Sequence, residues 1–455
     1  MDNNDNRSQF GSHIASVLVA AGSAVGLGNI WRFPYELGRN GGAVFLLVYI
    51  LCILLFGLPL MISEFAIGRH AQSNSARAFS LMGGSKAWRW VGMLGILTGT
   101  LILCYYGVAA GWAVEYRFEA GVDGFAGKDS AQFATDFTGF VSDPLQPVVC
   151  MVVFMAVNLA VILAGVKGGI ERGSKLMMPL LFIFVLILAF GSLFLLDSKD
   201  GLKFLFMPDF SKVTPGTFLS AMGQAFYSLS LAMGCLSTYA SYFRKKDNMV
   251  RSAVNVATID TFIAILAGVI IFPAAFSAGI EPDAGPSLVF ITLPYVFQQV
   301  FVGQPLLCYL FSLMFYLLLV LATLTSAMGL LEVPTIFFKE EFHIRRRWSA
   351  IGCTLFCVIV GVACSLSMGK WSEYTVCGLG LFDLFDFVTA KIMLPIGGLL
   401  TALYIGWFCD ATILRDEVTN KGTVAVGFYS IYRCLIRYVA PLAILAIFLD
   451  QFGLI

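Results

Sequence analysis

Charge is scarce in this sequence. Asp, Glu, Lys and Arg make up 13% of the 455 residues, against 58% hydrophobic ones, where a soluble domain carries roughly a quarter charged residues. That shortfall excludes a large soluble core and points to a polytopic, all-α membrane protein. Histidine is nearly missing: His13, His70 and His343 lie far apart and form no metal-ligand spacing. No G-x-x-x-x-G-K-[ST] loop is present, which argues against ATP as a partner, and no G-x-S-x-G elbow marks a nucleophile. The stretch "GLGNIW" has the first two glycines of a dinucleotide fingerprint but neither the third nor a preceding strand. An enzyme, an organic cofactor and a nucleic-acid partner are therefore not expected. The opening "MDNNDNRSQF" is polar with no apolar run before it, so no cleaved signal peptide is expected and the first helix would insert itself. Most of the cysteines, Cys52, Cys104, Cys150, Cys235, Cys308, Cys353, Cys357 and Cys364 among them, fall in apolar runs and read as small buried hydrophobes.

What the chain has in abundance is long apolar runs, with a mean hydropathy of +0.84. A membrane-crossing helix needs about 20 mostly apolar residues. Eleven candidates fit: 12–37, 41–66, 88–118, 147–165, 174–196, 217–243, 252–279, 303–338, 348–368, 376–408 and 430–450. With the amino terminus placed inside the cell, about twenty Lys and Arg fall on inward segments (clusters at 69–89, 167–175, 244–251, 339–347 and 415–437) and seven on outward ones. The positive-inside rule favours that orientation, a cytoplasmic amino terminus and, for an odd number of spans, a carboxyl terminus outside, in a cell membrane and most simply a bacterial inner membrane. The outer loop 119–146 is acidic, with Asp123, Asp129, Asp136 and Asp143, and 281–300 predicts a hairpin packed on the outer face.

Two spans are written against their own stability. "AAGSAVGLGNIWRFP" (20–34) carries glycines, Asn29, Arg32 and Pro34, and "AFYSLSLAMGCLSTYASYF" (225–243) carries Ser228, Ser230 and Gly234. They are the first and sixth spans, matching positions if the first ten form two repeats of five. Glycine in a membrane helix often serves only close packing, but two interrupted spans at corresponding positions point to a transporter's binding site. Backbone groups freed in hydrocarbon cost several kcal/mol each unless satisfied, so a break belongs where it lines a polar cavity. Half-helix amino ends suit a carboxylate, and freed carbonyls suit Na⁺. A zwitterionic amino acid beside Na⁺ matches that polarity.

"GSAVGLGNIWRFP", "NGGAVFLLVYI", "GLPLMISEFAIGR", "SLSLAMG" with "TYASYF", and "LATLTSAMGLLE" resemble the first, second, sixth and eighth helices of the neurotransmitter:sodium symporter family. The resemblance implies a LeuT-type 5+5 inverted-repeat core with discontinuous helices 1 and 6, divided as 1–196, 217–408 and a remainder at 409–455. It also implies a sodium-coupled symporter working by alternating access, with membrane lipid around it. One sodium site would use Ala24, Asn29, Ser228 and Asp260 together with the substrate carboxylate. A second would use the carbonyls of Gly22, Val25 and Ala322 and the hydroxyls of Thr325 and Ser326. For these hydroxyls, hydrogen bonding back to their own helix is the plainer alternative.

The same resemblance places the substrate among Ala24, Gly26, Leu27, Gly28, Ile102, Tyr106, Ala109, Tyr227, Ser228, Ser230, Met233, Ser326 and Leu330. Members that carry amines have an aspartate where this chain has Gly26, so an amino acid is expected, neutral and hydrophobic because the wall lacks a charged partner. Ala232 would narrow the site. Asp260 is a fixed acid within an apolar span, which implies independence from chloride. Glu64 would hold the unwound sixth helix, or else face cytoplasmic water at a helix end. Arg32 and Asp386, with Asp383 nearby, correspond to an outer gate. Arg7, Ser241, Tyr242 and Glu340 correspond to an inner one, with Glu341 as the alternative acid. Gly169 and Pro179, with nine residues between them, resemble a hinge where the fifth helix unwinds. A membrane sensor or receptor of the same fold, without concentrative transport, remains the rival reading.

Overall fold

The computed structural model describes residues 8–194, 198–277, 288–423 and 426–451, and every extended element among them is a helix. Among the described residues nine helices are long and apolar enough to cross a membrane: Ala43–Ala71, Lys86–Gly121, Gln146–Leu163, Val166–Leu193, Met249–Ser277, Pro305–Glu341, Arg346–Leu366, Leu381–Phe408 and Gly427–Ala446. His13–Ala24 and Gly28–Arg39 form a tenth if they count as one span, bent by 54°. The expected sixth span is Pro215–Ser228 and Cys235–Ala240, separated by 229–234, and neither piece is long enough to cross alone. Both predicted breaks are thus interruptions of the helix.

Local chemistry sets many of these boundaries. Ser12 accepts from the Ala15 amide and starts the first helix. Thr214 and Thr217 form a capping box with Pro215 at the first turn, where its missing N–H costs nothing. Asp129 and Gln132 do the same for Ser130–Ser142, which gives the acidic outer loop a helix of its own. Packing is close where side chains are small. A Cβ on Gly68 would sit 2.0 Å from the Ser237 carbonyl oxygen, so the second span meets the inner half of the sixth backbone to backbone. The longest helix, Pro305–Glu341, packs along Arg89–Gly121 through the centre of the bundle.

One expectation is described only in part and another needs adjustment. In the predicted hairpin at 281–300, residues 281–287 lie outside the described residues. The remainder is a single helical stretch, Leu288–Thr292 running into Leu293–Val300, and Phe290 meets the Trp31 ring edge-on at 5.8 Å. Of the eight cysteines named, all are free thiols and Cys150 alone is only partly buried.

Candidate functional site

The first helix ends at Ala24, and residues 25–27 lead into a π-helical turn, Gly28–Arg32. In the sixth span the break holds Ser230 and Ala232 at φ of 52° and 62°, with Gly234 at 74°. A non-glycine residue there stores roughly 1–3 kcal/mol of strain and persists only where its surroundings hold it. The Glu64 carboxylate supplies one such hold, accepting from the Ala232 amide at 2.7 Å. Glu64 is buried, so the alternative that places it in cytoplasmic water is wrong. The expectation that Ala232 narrows the cavity is also wrong: its left-handed backbone turns the methyl to within 3.3 Å of where a Cβ on Gly397 would stand.

Where the two breaks face each other there is a cavity of about 30 Å³. Ala24, Gly26, Leu27, Gly28, Ile102, Tyr106, Tyr227, Ser230, Met233, Ser326 and Leu330 line it, as does Ser23, which the sequence reading missed. Ala109 and Ser228, expected on this wall, are buried beside it and not on its lining. A Cβ on Gly26 would stand 2.5 Å from Ser326 Oγ and 3.0 Å from the Tyr106 hydroxyl, so a side chain there would fill the cavity. The Tyr106 hydroxyl is buried with no hydrogen-bond partner among the described residues, an arrangement costly enough to point to a ligand group.

Beside the cavity Asn29, Ser228 and Asp260 form a buried polar cluster. The Asn29 amide donates to Asp260 Oδ1 at 2.8 Å, Ser228 Oγ donates to Asp260 Oδ2 at 2.8 Å, and Asn29 Oδ1 accepts from the Gly26 amide at 3.0 Å. A second oxygen cluster lies between the first and eighth spans. Ser326 Oγ donates across to the Val25 carbonyl at 2.9 Å and the Gly22 carbonyl at 3.4 Å, whereas Thr325 Oγ1 bonds to Ala322 of its own helix at 3.0 Å. Gln224, another residue missed, donates to the Gly28 carbonyl at 3.0 Å and supports the broken turn.

The expected outer contact is not made as drawn. Arg32 forms no ion pair with Asp386; its guanidinium lies 4.5 Å from the centroid of the Tyr227 ring. The π-helical turn that ends at Arg32 sets it over that ring, which offers a cation a face without an ion pair. At the other end Arg7 lies outside the described residues. Glu340 accepts from the Asn74 amide at 2.7 Å, while Glu341 pairs with Arg89 at 2.6 Å and Arg77 at 3.3 Å. Ser241 Oγ donates to the Thr238 carbonyl at 2.5 Å, and the Tyr242 hydroxyl donates to Glu332 at 2.6 Å. Glu332 is fully buried and pairs with Arg346 at 2.6 Å, a lock the sequence reading did not name. Nor did it name Phe10, which is buried against Tyr239, Tyr242 and Phe243. In the fifth span Gly169 sits in a π-helical stretch, Val166–Glu171, within a continuous helix, and Pro179 lies inside that helix. It is not a loop glycine: a Cβ there would stand 1.8 Å from the Val161 carbonyl oxygen.

Comparison with known proteins decides the family. The sequence model described as the sodium:neurotransmitter symporter family matches residues 7–126 and 134–453. The chain belongs to that family. This transporter is 36% identical over 447 residues to the uncharacterised sodium-dependent transporter YhdH of Bacillus subtilis, covering 98% of each chain. It is 25% identical over 296 residues to the sodium-dependent neutral amino acid transporter B(0)AT1 of Rattus norvegicus, covering 59% of this chain and 45% of the other. The crystal structure of MhsT in complex with L-phenylalanine matches with a TM-score of 0.89 at 41% identity, covering 98% of this chain and 100% of MhsT. The transporter is therefore a multi-pass, sodium-dependent membrane protein with the LeuT-type fold, and not an enzyme.

Proposed function

We propose that this transporter carries a neutral, hydrophobic amino acid inward with Na⁺, independently of chloride. The observation that carries the reading is the cavity at the two helix breaks, where the Tyr106 hydroxyl is orphaned and Gly26 leaves the space a side chain would fill. The substrate carboxylate takes the Tyr106 hydroxyl and the amides of the first break, and its ammonium takes carbonyls of the second, near Tyr227 and Ser230. The apolar wall of Ile102, Met233 and Leu330 supports a hydrophobic side chain, since a charged one would be desolvated without a partner. The phenylalanine bound to MhsT and the neutral amino acids carried by the rat relative point the same way.

Two sodium sites serve the coupling. One ion binds at Asn29, Ser228 and Asp260 with the Ala24 carbonyl. The Asn29 amide turns its oxygen to the ion, and the substrate carboxylate completes the shell, which couples the two ligands thermodynamically. The other takes the carbonyls of Gly22, Val25 and Ala322, with Thr325 and Ser326 turning their hydroxyl protons away. Asp260 supplies the negative charge that an external anion would otherwise bring. Residues 1–196 and 217–408 form the two repeats, with 409–455 as an added segment. A core bundle rocks against the scaffold of the remaining helices, between an outer gate at Arg32, Tyr227 and Asp386 and an inner one at Arg7, Ser241, Tyr242 and Glu340, and the fifth helix opens at Gly169 and Pro179. The amino terminus lies inside and the carboxyl terminus outside. In Na⁺ medium, leucine, phenylalanine and tryptophan should displace bound labelled phenylalanine, and lysine and glutamate should not. Displacement by lysine or glutamate at equal concentration would overturn the assignment of the wall.

A further inference from the structure

Away from the site, an apolar groove of about 770 Å³ opens between the starts of Arg89–Gly121 and Arg346–Leu366 and the end of Pro305–Glu341. That is the size of a ligand cleft, for which roughly 300–1,000 Å³ is usual. Trp90, Leu97, Phe337, Trp348 and Phe356 form most of its wall, and the two tryptophans are 72% and 54% exposed. Tryptophans so placed at the ends of spans sit at the level of lipid headgroups. Ser349 also lines the groove, and its hydroxyl is buried just behind that wall without a hydrogen-bond partner among the described residues.

Cations flank the wall along the chain. Lys86, Lys339, Arg345 and Arg347 are exposed, stand within a few residues of wall positions, and make no ion pair among the described residues. Arg347 is held at the rim by the Trp348 ring, 5.0 Å from its centroid. Arg89, by contrast, is already neutralised by Glu341. Unpaired cations around an apolar slot that carries one orphan hydroxyl match one kind of molecule: an acyl chain ending in an ester and a phosphate.

We infer that this groove binds an anionic phospholipid. One acyl chain lies against Trp90, Phe337 and Phe356, an ester oxygen accepts from Ser349, and the phosphate is held by Lys86, Arg345 and Arg347. Each cation near such a headgroup strengthens binding about fivefold. Gly352 lines the same groove, and a Cβ built on it meets nothing within 4 Å, so a large side chain there would plug the slot without disturbing the helix.

The test uses the full chain in phosphatidylcholine vesicles containing a minor fraction of phosphatidylglycerol, with one lipid or the other brominated on its acyl chain to quench tryptophan. Relative affinity should favour phosphatidylglycerol by about tenfold or more. The preference should vanish in Gly352→Phe and in the combined Lys86→Ala, Arg345→Ala and Arg347→Ala variant, and should shrink in Trp90→Phe with Trp348→Phe, which removes the two groove reporters of the chain's seven tryptophans. Na⁺-dependent amino-acid binding by each variant reports that it is folded. Equal quenching by the two lipids in the wild type would overturn the proposal. So would an undiminished preference in folded Gly352→Phe protein.

Discussion

Replacing Gly26 by alanine adds one methyl at the point where the substrate carboxylate is proposed to sit. The new Cβ would stand 2.5 Å from Ser326 Oγ, 3.2 Å from Ser326 Cβ and 3.0 Å from the Tyr106 hydroxyl. Distances below 3 Å cannot persist, so Ser326 must retreat from the Val25 carbonyl it now reaches at 2.9 Å. Overpacking of this kind costs about 1–3 kcal/mol, and the displaced hydrogen bond about 0.5–1.5 kcal/mol more. Those costs fall on the folded protein before substrate binds. The methyl also occupies the carboxylate's place, and a clash of about 1–3 kcal/mol there lowers substrate affinity roughly fivefold to a hundredfold, at tenfold for each ~1.4 kcal/mol. Equilibrium binding of labelled phenylalanine to the purified transporter in saturating Na⁺ measures it. Gly223→Ala is the control, since a Cβ there meets nothing within 4 Å, and its affinity should stay within about twofold of wild type. If Gly26→Ala protein of normal thermal stability also bound phenylalanine within twofold of wild type, the placement of the carboxylate would be wrong.

Further outcomes follow from the same geometry. Wild-type uptake should be indifferent to replacing chloride with gluconate, and Asp260→Asn uptake should become chloride-stimulated; chloride stimulation of the wild type would count against the charge assigned to Asp260. Pro179→Ala should slow Na⁺ release, read as the rate of substrate exchange, and unchanged kinetics would remove the hinge. In the segment after the tenth span, burial pushes the Glu417 carboxyl up, but His70, Arg69 and Lys245 outweigh it and hold its pKa at about 2, below the ordinary 4.5. A depressed pKa means stability that is complete above about 4.5 and lost as pH falls toward 2. Melting temperature should therefore drop through that window in the wild type, and Glu417→Gln should be less stable at neutral pH with a shallower acid slope.

The breaks were legible because they violate composition: glycine, asparagine and serine inside apolar runs are visible without any partner. Asp260 and Glu64 stood out for the same reason, as carboxylates inside apolar spans. Contacts that depend on how spans dock were not legible. Glu332 and Arg346 meet across a helix boundary, Phe10 finds its pocket only once the sixth span is placed, and Gln224 reaches a carbonyl exposed only by a break in another helix. Arg32 on Tyr227 in place of Asp386 reflects the π-helical turn, whose phase no residue pattern announces. At the sixth span hydropathy runs on through the break, whereas the helix is interrupted at 229–234 between Pro215–Ser228 and Cys235–Ala240.

Uptake by proteoliposomes tests the central claim most directly. With an inward Na⁺ gradient and no ATP, labelled phenylalanine or leucine should accumulate above its external concentration and leak back when the gradient is collapsed. Saturable Na⁺-dependent binding without any accumulation would contradict a symporter and favour a sensor built on the same fold.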